Sequence, residues 1–541
     1  MRPSALRLLL AALVFHLLLI QPNHPAAMSW GALAVFPLEL PVILLGLAAL
    51  PRAGFVRWVR VALVAALVVI AGLKAADHAM FVALGRGFNP VADLPLIEAG
   101  LRLAVGAIGP VLTAAALLAA LAAICAVAAA SWWASGVWAR VGASRRKAGL
   151  LGTTAAVFAG LAVAEIGQAT GRWSLPVTPP GAAFTARLGL ERVEMARETL
   201  SDLREFRAAA TSDPYAERAG LLDAIDRDVL IVFVESYGRA SHDVPLYAET
   251  HRATLARAQA RLERLGLSMR SGLLRAPTRG GQSWLSHATF ANGLWVADQS
   301  SYGALLASGR QSLFHIAARS GFRTAAVMPQ ITMDWPESAT MGFGTVLAAA
   351  DLGYAGQPFN WVTMPDQFTF AALDRLLRDG RDERPLFAQI ALGSSHAPWV
   401  PVPALVDWDK IGDGRVFDAM AEAGPSPETV WRDHDRVREQ YRQAVDYALR
   451  VVLDYAARHA EDPPLIFLVG DHQPAGFVAL DERADVPVHV IGPEPLVARA
   501  GAWGWTEGLL PAPEAQVTPM DRMRGMILDA YSGPRPDGGQ E

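Results

Sequence analysis

One cysteine in 541 residues, Cys125, leaves the chain without the means for an intrachain disulfide. It also rules out any cysteine-built zinc cluster. Charge of one sign is likewise missing. With 48 Lys and Arg against 52 Asp and Glu, the net charge is -4, which excludes the basic footprint of a nucleic-acid binder. No internal repeat or low-complexity tract stands out. What the chain has in excess is apolar residues, 52% of the total, with a mean hydropathy of +0.25. That balance belongs to a protein partly embedded in a membrane, and 541 residues allow more than one domain.

The apolar residues are concentrated before residue 170, in stretches near Ala5–Ile20, Leu33–Leu50, Val59–Leu73, Leu103–Ala130 and Leu150–Ile166. A spanning helix takes about 20 such residues, so five membrane helices are expected over 1–167. A cleavable signal peptide is the other reading of the first stretch, and four further spans with no soluble region between them argue against it. Arg2 and Arg7, then Arg52, Arg57 and Arg60, then Arg140, Arg145, Arg146 and Lys147 fall on one side, whereas the loop Gln21–Trp30 has no Lys or Arg. The third loop carries a thinner Lys74, Arg86 and Arg102. Positive residues stay in the cytoplasm, so the N-terminus is expected inside and everything beyond residue 170 outside. The loop Ala75–Gly100 reads as either an interfacial segment or a simple connector.

From about Gln168 the composition turns polar. Pro176, Pro179, Pro180 and Gly181 mark a linker expected over 168–227, with an amphipathic helix at Glu191–Leu222. Beyond Asp228 strand and helix patterns alternate, as in an α/β domain with a mostly parallel sheet flanked by helices. Strands are expected at Val229–Val234, Ser268–Leu274, Thr324–Val327, Leu386–Ala391, Leu465–Val469 and Val486–Ile491. Helices are expected at Thr250–Leu265, Ser283–Asn292, Ser312–Ser320, Asp366–Leu377 and Val437–His459. The domain should span 228–531, and the Gly/Pro-rich tail 532–541 should be disordered.

Two of these strands end in metal-ligand chemistry. Val229–Val234 runs into Glu235, and Leu465–Val469 into Gly470-Asp471-His472. Ligands gather at the carboxyl ends of parallel strands, so one divalent ion held by oxygen and imidazole is expected. A single Glu, Asp, His and alkoxide suit zinc or manganese, and imidazole argues against magnesium. The run Thr278-Arg279-Gly280-Gly281-Gln282-Ser283 opens a helix. Ser283 could be a helix cap alone, but beside Glu235 and Asp471-His472 it is favoured as a nucleophile whose hydroxyl also ligates the metal. Thr278 is the reserve. His396, in Ser394-Ser395-His396-Ala397-Pro398, could contact a phosphoryl oxygen, protonate a leaving group, hold a second metal, or merely pack. His489, inside an apolar strand, is divided between core residue and second-metal ligand. His242, His287, His315 and His459 are read as structural.

Taken in this order, Val234-Glu235-Ser236, Gly280-Gly281-Gln282-Ser283, Met364-Pro365-Asp366-Gln367, Ser395-His396-Ala397-Pro398 and Gly470-Asp471-His472 resemble the alkaline phosphatase superfamily. The resemblance is to its membrane-anchored sulfatase-like branch, which includes lipoteichoic acid synthases, phosphoglycerol transferases and phosphoethanolamine transferases. It covers nearly the whole chain. It implies one catalytic metal on Glu235, Asp471, His472 and the nucleophile, with Ser283 where the branch has Thr, and a phosphoryl-contacting His396. It further implies a periplasmic transferase on the inner membrane that moves a phosphoglycerol- or phosphoethanolamine-type headgroup from a phospholipid donor to a glycan or lipid acceptor.

Three departures qualify the resemblance. No C/S-x-P-x-R motif surrounds Ser283 or Thr278, so sulfate-ester hydrolysis through formylglycine is disfavoured. The disulfides usual in phosphoethanolamine transferases are missing. Of the headgroup-holding Trp-x-Arg element of lipoteichoic acid synthases, Asp334-Trp335-Pro336-Glu337 keeps only Trp335 as a substrate contact. A phosphodiesterase or phosphatase using the same site, and a non-catalytic membrane scaffold, are the competing readings.

Overall fold

A computed structural model describes residues 3–51, 53–84, 86–177, 179–360, 363–380 and 382–533. Arg2 and Arg52 of the orientation argument, and residues 534–541 of the expected tail, lie outside the described residues. The chain divides into two compact units, Met1–Asp202 and Leu203–Glu541.

The first unit is helical. Phe55–Val82, Pro110–Ala139 and Arg145–Ala169 are long and apolar enough to cross a bilayer, and Ala5–Ile20 and Glu39–Ala49 are shorter apolar helices. Phe15, Leu19, Leu44, Leu47, Leu67, Ala134 and Val137 form one buried cluster. Three expectations change. The fourth stretch divides at Gly109 into helices Leu94–Ile108 and Pro110–Ala139, because Gly109 has φ 82° and Pro110 cannot donate within a helix. The third helix runs on to Leu84, through charged residues that the hydropathy pattern took for a loop. Lys74 is accommodated because its ammonium donates to the Leu19 carbonyl at 2.9 Å and to Thr185 Oγ1 at 2.8 Å. Asp77 is held by Arg192 at 2.6 Å. Most of the expected loop Ala75–Gly100 is therefore helix. The amphipathic helix falls at Phe184–Thr211, earlier than expected.

The second unit is built on one nine-stranded sheet. Its strands are β1 (Val229–Val234), β2 (Leu267–Arg275), β3 (Arg323–Met328), β4 (Thr345–Ala348), β5 (Leu386–Ala391), β6 (Leu465–Gly470), β7 (Asp485–Pro493), β8 (Thr506–Glu507) and β9 (Val517–Pro519). Their order is β4-β3-β5-β1-β6-β7-β2-β8, with β9 also on β2. The block from β4 to β6 is parallel, whereas β7 is antiparallel to both β6 and β2.

All six residues of β1 are buried. Leu230, Val232 and Val234 face one core, with helices Pro245–Arg264, Asp366–Leu377 and His434–Arg458. Val229, Ile231 and Phe233 face the other, with helices Leu313–Arg319 and Arg522–Ala530. A strand covered on both faces has no polar alternation, which is why β1 reads as a continuous apolar run. The six expected strands all form. The short β4, β8 and β9 and the helices Gln299–Leu306 and Arg522–Ala530 were not expected. The Ser532 hydroxyl accepts from the Leu222 N–H at 3.1 Å.

Candidate active site

Strand direction brings the candidate residues to one edge. β1, β5 and β6 are parallel, so Glu235, His396 and Asp471-His472 all follow carboxyl ends on the same side of the sheet. β7 reverses against β6 and β2 reverses again against β7. The carboxyl end of β2, which leads to Ser283, therefore returns to that edge, the usual place for ligands in open α/β sheets.

Tight backbone then compresses the cluster. Gly281 has φ 140° and is followed by Gln282 at φ 66°, a path that needs glycine at the first position. The turn is held by Gly280 N–H donating to the Gln473 carbonyl at 2.7 Å. At the end of β6, a Cβ on Gly470 would sit 1.9 Å from the Tyr237 carbonyl oxygen, so the β1 and β6 loops approach as closely as backbone allows. Gln282 occupies the N-cap of helix Ser283–Asn292. Ser283, one residue further in, has its side chain free of capping.

Its hydroxyl turns to the strand ends instead. Ser283 Oγ donates to Glu235 Oε2 at 3.0 Å and lies 3.2 Å from His472 Nε2. His472 Nε2 is also 3.2 Å from Glu235 Oε1 and 3.9 Å from Asp471 Oδ2. Asp471 Oδ1 accepts the N–H groups of Ser236 at 2.8 Å and His472 at 2.7 Å, which aims Oδ2 into the cluster. His472 Nδ1 faces the Gln473 carbonyl at 2.9 Å. Because that carbonyl can only accept, the proton belongs on Nδ1 and the neutral ring offers Nε2 as a ligand.

Glu235, Asp471 and His472 are 7%, 1% and 1% exposed, and one ligand atom from each lies within 4.8 Å of the others. Burial alone would raise Glu235, but the charges of His472 and His396 hold it well below the usual carboxylate range. Burial and repulsion from Glu235 push Asp471 up to about 7. Burial would lower His472, but the two carboxylates outweigh it and raise the ring to about 9. Two carboxylates this close and this deep demand a positive charge between them. Two oxygens, an imidazole nitrogen and a serine hydroxyl form a four-donor set that fits a divalent cation.

The remaining candidates are not in this cluster. Thr278 Oγ1 is buried without a hydrogen-bond partner. His396 Nδ1 meets the Ala397 carbonyl at 2.6 Å, which leaves Nε2 for a ligand. Its charge reaches Glu235, and Ser395 Oγ ties the loop to the Glu235 carbonyl at 2.7 Å. Trp335 packs on Phe343 with ring centroids 6.0 Å apart. His489 has both nitrogens engaged, Nδ1 with Ser271 Oγ at 2.6 Å and Nε2 with the Tyr237 hydroxyl at 3.1 Å. This is the core-histidine arrangement and leaves no nitrogen for a second metal.

Two contributors escaped the sequence reading. Gln473, next to His472, fixes both the ligand tautomer and the glycine turn; its place after the Asp-His pair was the available signal. His287, read as structural, packs on Phe233 at 4.1 Å, one helical turn beyond Ser283. Burial lowers it to about 3, with Glu235 and His472 within electrostatic reach.

The sequence profile of the Sulfatase family matches residues 227–486. No curated protein matches the chain at a significant level. Among solved structures, the chain is similar to the integral membrane lipooligosaccharide phosphoethanolamine transferase A of Neisseria meningitidis. The identity is 14%, over 98% of this chain and 96% of that one, with a TM-score of 0.49. It is also similar to the Streptococcus pyogenes phosphoglycerol transferase GacH, solved with sn-glycerol-1-phosphate, at 12% identity over 62% and 91% (TM-score 0.36). A third similar structure is the lipoteichoic acid synthase LtaP of Listeria monocytogenes, at 13% identity over 54% and 71% (TM-score 0.36). The Sulfatase profile thus covers the stretch of the chain that contains the buried Glu-Asp-His cluster and the serine above it.

Proposed function

We propose that the protein is a membrane-anchored, metal-dependent transferase that moves a phospho-headgroup, of phosphoglycerol or phosphoethanolamine type, from a phospholipid to a glycan or lipid acceptor. The reading rests on one observation. Ser283 Oγ sits at the mouth of the ligand cluster, 3.0 Å from Glu235 Oε2 and 3.2 Å from His472 Nε2, positioned for nucleophilic attack rather than for capping.

A divalent ion on Glu235, Asp471 and His472 would lower the pKa of the Ser283 hydroxyl and neutralise phosphoryl charge. Ser283 Oγ loses its proton to solvent and attacks the phosphorus of the donor. The O–P bond to Ser283 forms as the bond to the diacylglycerol oxygen breaks. His396 Nε2 protonates that oxygen, and an acceptor hydroxyl later displaces Ser283 from phosphorus. Asp471 and Glu235 stay fixed through their hydrogen bonds to Ser236, so the charge they present needs no rearrangement during the reaction.

Five passes, made by the three long and two shorter apolar helices, would hold the catalytic unit outside the inner membrane with the N-terminus in the cytoplasm. The donor then never has to leave the bilayer. The test is a mass spectrum of the chain after incubation with phospholipid and no acceptor. A headgroup-phosphate adduct on Ser283, absent from Ser283→Ala, supports the reading; an adduct on Thr278, or turnover by Ser283→Ala, overturns it.

A further inference from the structure

Past His396 the chain builds a surface that the headgroup chemistry does not use. Trp399 is 3% exposed, its Nε1 donates to the Ser395 carbonyl at 2.7 Å, and Tyr441 meets its ring edge-on at 5.6 Å. On this fixed ring lies Trp431, parallel to within 2° at a centroid distance of 5.7 Å. Phe477 flanks Trp431 at 6.1 Å, and His434 lies over Phe477 at 4.8 Å. Trp431 nevertheless remains 43% exposed. Its one polar atom, Nε1, donates to the Pro398 carbonyl at 3.4 Å, and the rest of what it shows to solvent is apolar ring.

We propose that Trp431, backed by Trp399, is a stacking platform for a pyranose ring, which makes the acceptor a glycan; the assignment rests on the transferase reading above. A sugar ring offers an apolar C–H face edged by hydroxyls. The platform offers the same pairing, an apolar indole bordered by the exposed Arg432, Asp433, His434 and Asp435. Those charges distinguish a sugar from the other apolar occupant, the bilayer. Asp433 accepts from the Asp435 N–H and Asp435 from Arg438, and burying them against acyl chains would strip the water from their remaining lone pairs, whereas sugar hydroxyls can hydrogen-bond there.

The location also suits an acceptor. Trp431 touches Pro398, two residues from His396. Phe477 lies in the short helix Gly476–Ala479, whose preceding residue Ala475 has its Cα 3.4 Å from where a Cβ on Gly280 would lie, in the turn before Ser283. The platform thus adjoins both loops that carry the proposed chemistry. A rigid, pre-stacked indole loses little conformational freedom on binding, which is where flat aromatic anchors gain their advantage.

The full chain in lipid nanodiscs, free of sugar detergents, can be probed with chitotetraose and maltotetraose by saturation-transfer NMR. Ring C–H signals should appear for at least one oligosaccharide. Trp431→Ala should weaken binding about tenfold or more, Trp431→Phe should retain most of it, and Ser283→Ala should leave it unchanged. Headgroup loading of Ser283 from labelled phospholipid, measured in parallel, should persist in Trp431→Ala. That result also shows the variant to be folded, and it tests the transferase reading separately. Absence of saturation transfer to both oligosaccharides, or equal binding by Trp431→Ala, overturns the platform. So does quenching by brominated acyl chains that disappears in Trp431→Phe, because it would place the ring in the bilayer.

Discussion

Asp366 and Ser394 hold each other reciprocally: the Asp366 N–H donates to Ser394 Oγ and the Ser394 N–H donates to Asp366 Oδ1, both at 2.9 Å. Gly393 N–H adds a third bond to Oδ1 at 2.8 Å. Asp366 Oδ2 is buried without a partner, and burial raises this carboxyl to about 6. The protonated form is thus favoured by folding. Its stabilisation is complete below the unfolded value near 4 and is lost as pH rises through 6, by about 3 kcal/mol. Asp366→Asn keeps the acceptor and cannot ionise. Relative to wild type its thermal midpoint should rise as pH goes from 4.5 to 7.5, and parallel curves would contradict this account.

Metal affinity should increase with pH. Asp471 near 7 and His472 near 9 carry protons that a divalent ion must displace. Binding of zinc or manganese should therefore tighten through pH 7 and up to about 9 and release protons. Titration calorimetry in buffers of different ionisation enthalpy reads both effects. Glu235→Ala should lose the ion, with an affinity drop of about 100-fold or more.

His489→Gln tests the second-metal idea from the other side. With both ring nitrogens engaged in the wild type, removing the ring should leave metal stoichiometry unchanged and cost about 2 kcal/mol through two lost hydrogen bonds, although Tyr237 keeps His242 and Ser271 keeps the Gly508 carbonyl as partners. A lower metal count with unchanged stability would restore His489 as a ligand.

Gly470→Ala should be among the most damaging small substitutions. Its new methyl would meet a backbone carbonyl rather than a flexible side chain, so strand β6 must shift. A loss of about 3 kcal/mol is expected, with metal binding lost in the same variant because Asp471 follows directly. Thermal unfolding and metal analysis together check this.

The sequence was most readable where burial left one pattern. β1 and β6 are covered on both faces, so their apolar runs and the ligands at their ends stood out without any coordinates. The rest needed three-dimensional information of particular kinds. β4 and β8 are short and partly exposed, so they have neither an apolar run nor clear alternation. The role of His489 depends on register: it lies opposite Ser271 on β2, and nothing in its own strand reveals that. The capping alternative for Ser283 turned on one residue, since Gln282 in a left-handed conformation takes the cap. Lys74 and Asp77 looked like a loop because their partners, Thr185 and Arg192, are more than a hundred residues away.

Among the described residues β2 pairs only with β7, β8 and β9, all at least 210 residues later in the chain. A ribosome making this protein therefore emits Ser283 long before the strand that leads into it has any neighbour. Until about residue 493 has emerged, the serine has no fixed position beside Glu235. On the transferase reading the chain is in effect silent during its own synthesis, and a truncation that removes β7 (Asp485–Pro493) should abolish chemistry whose every named residue is still present.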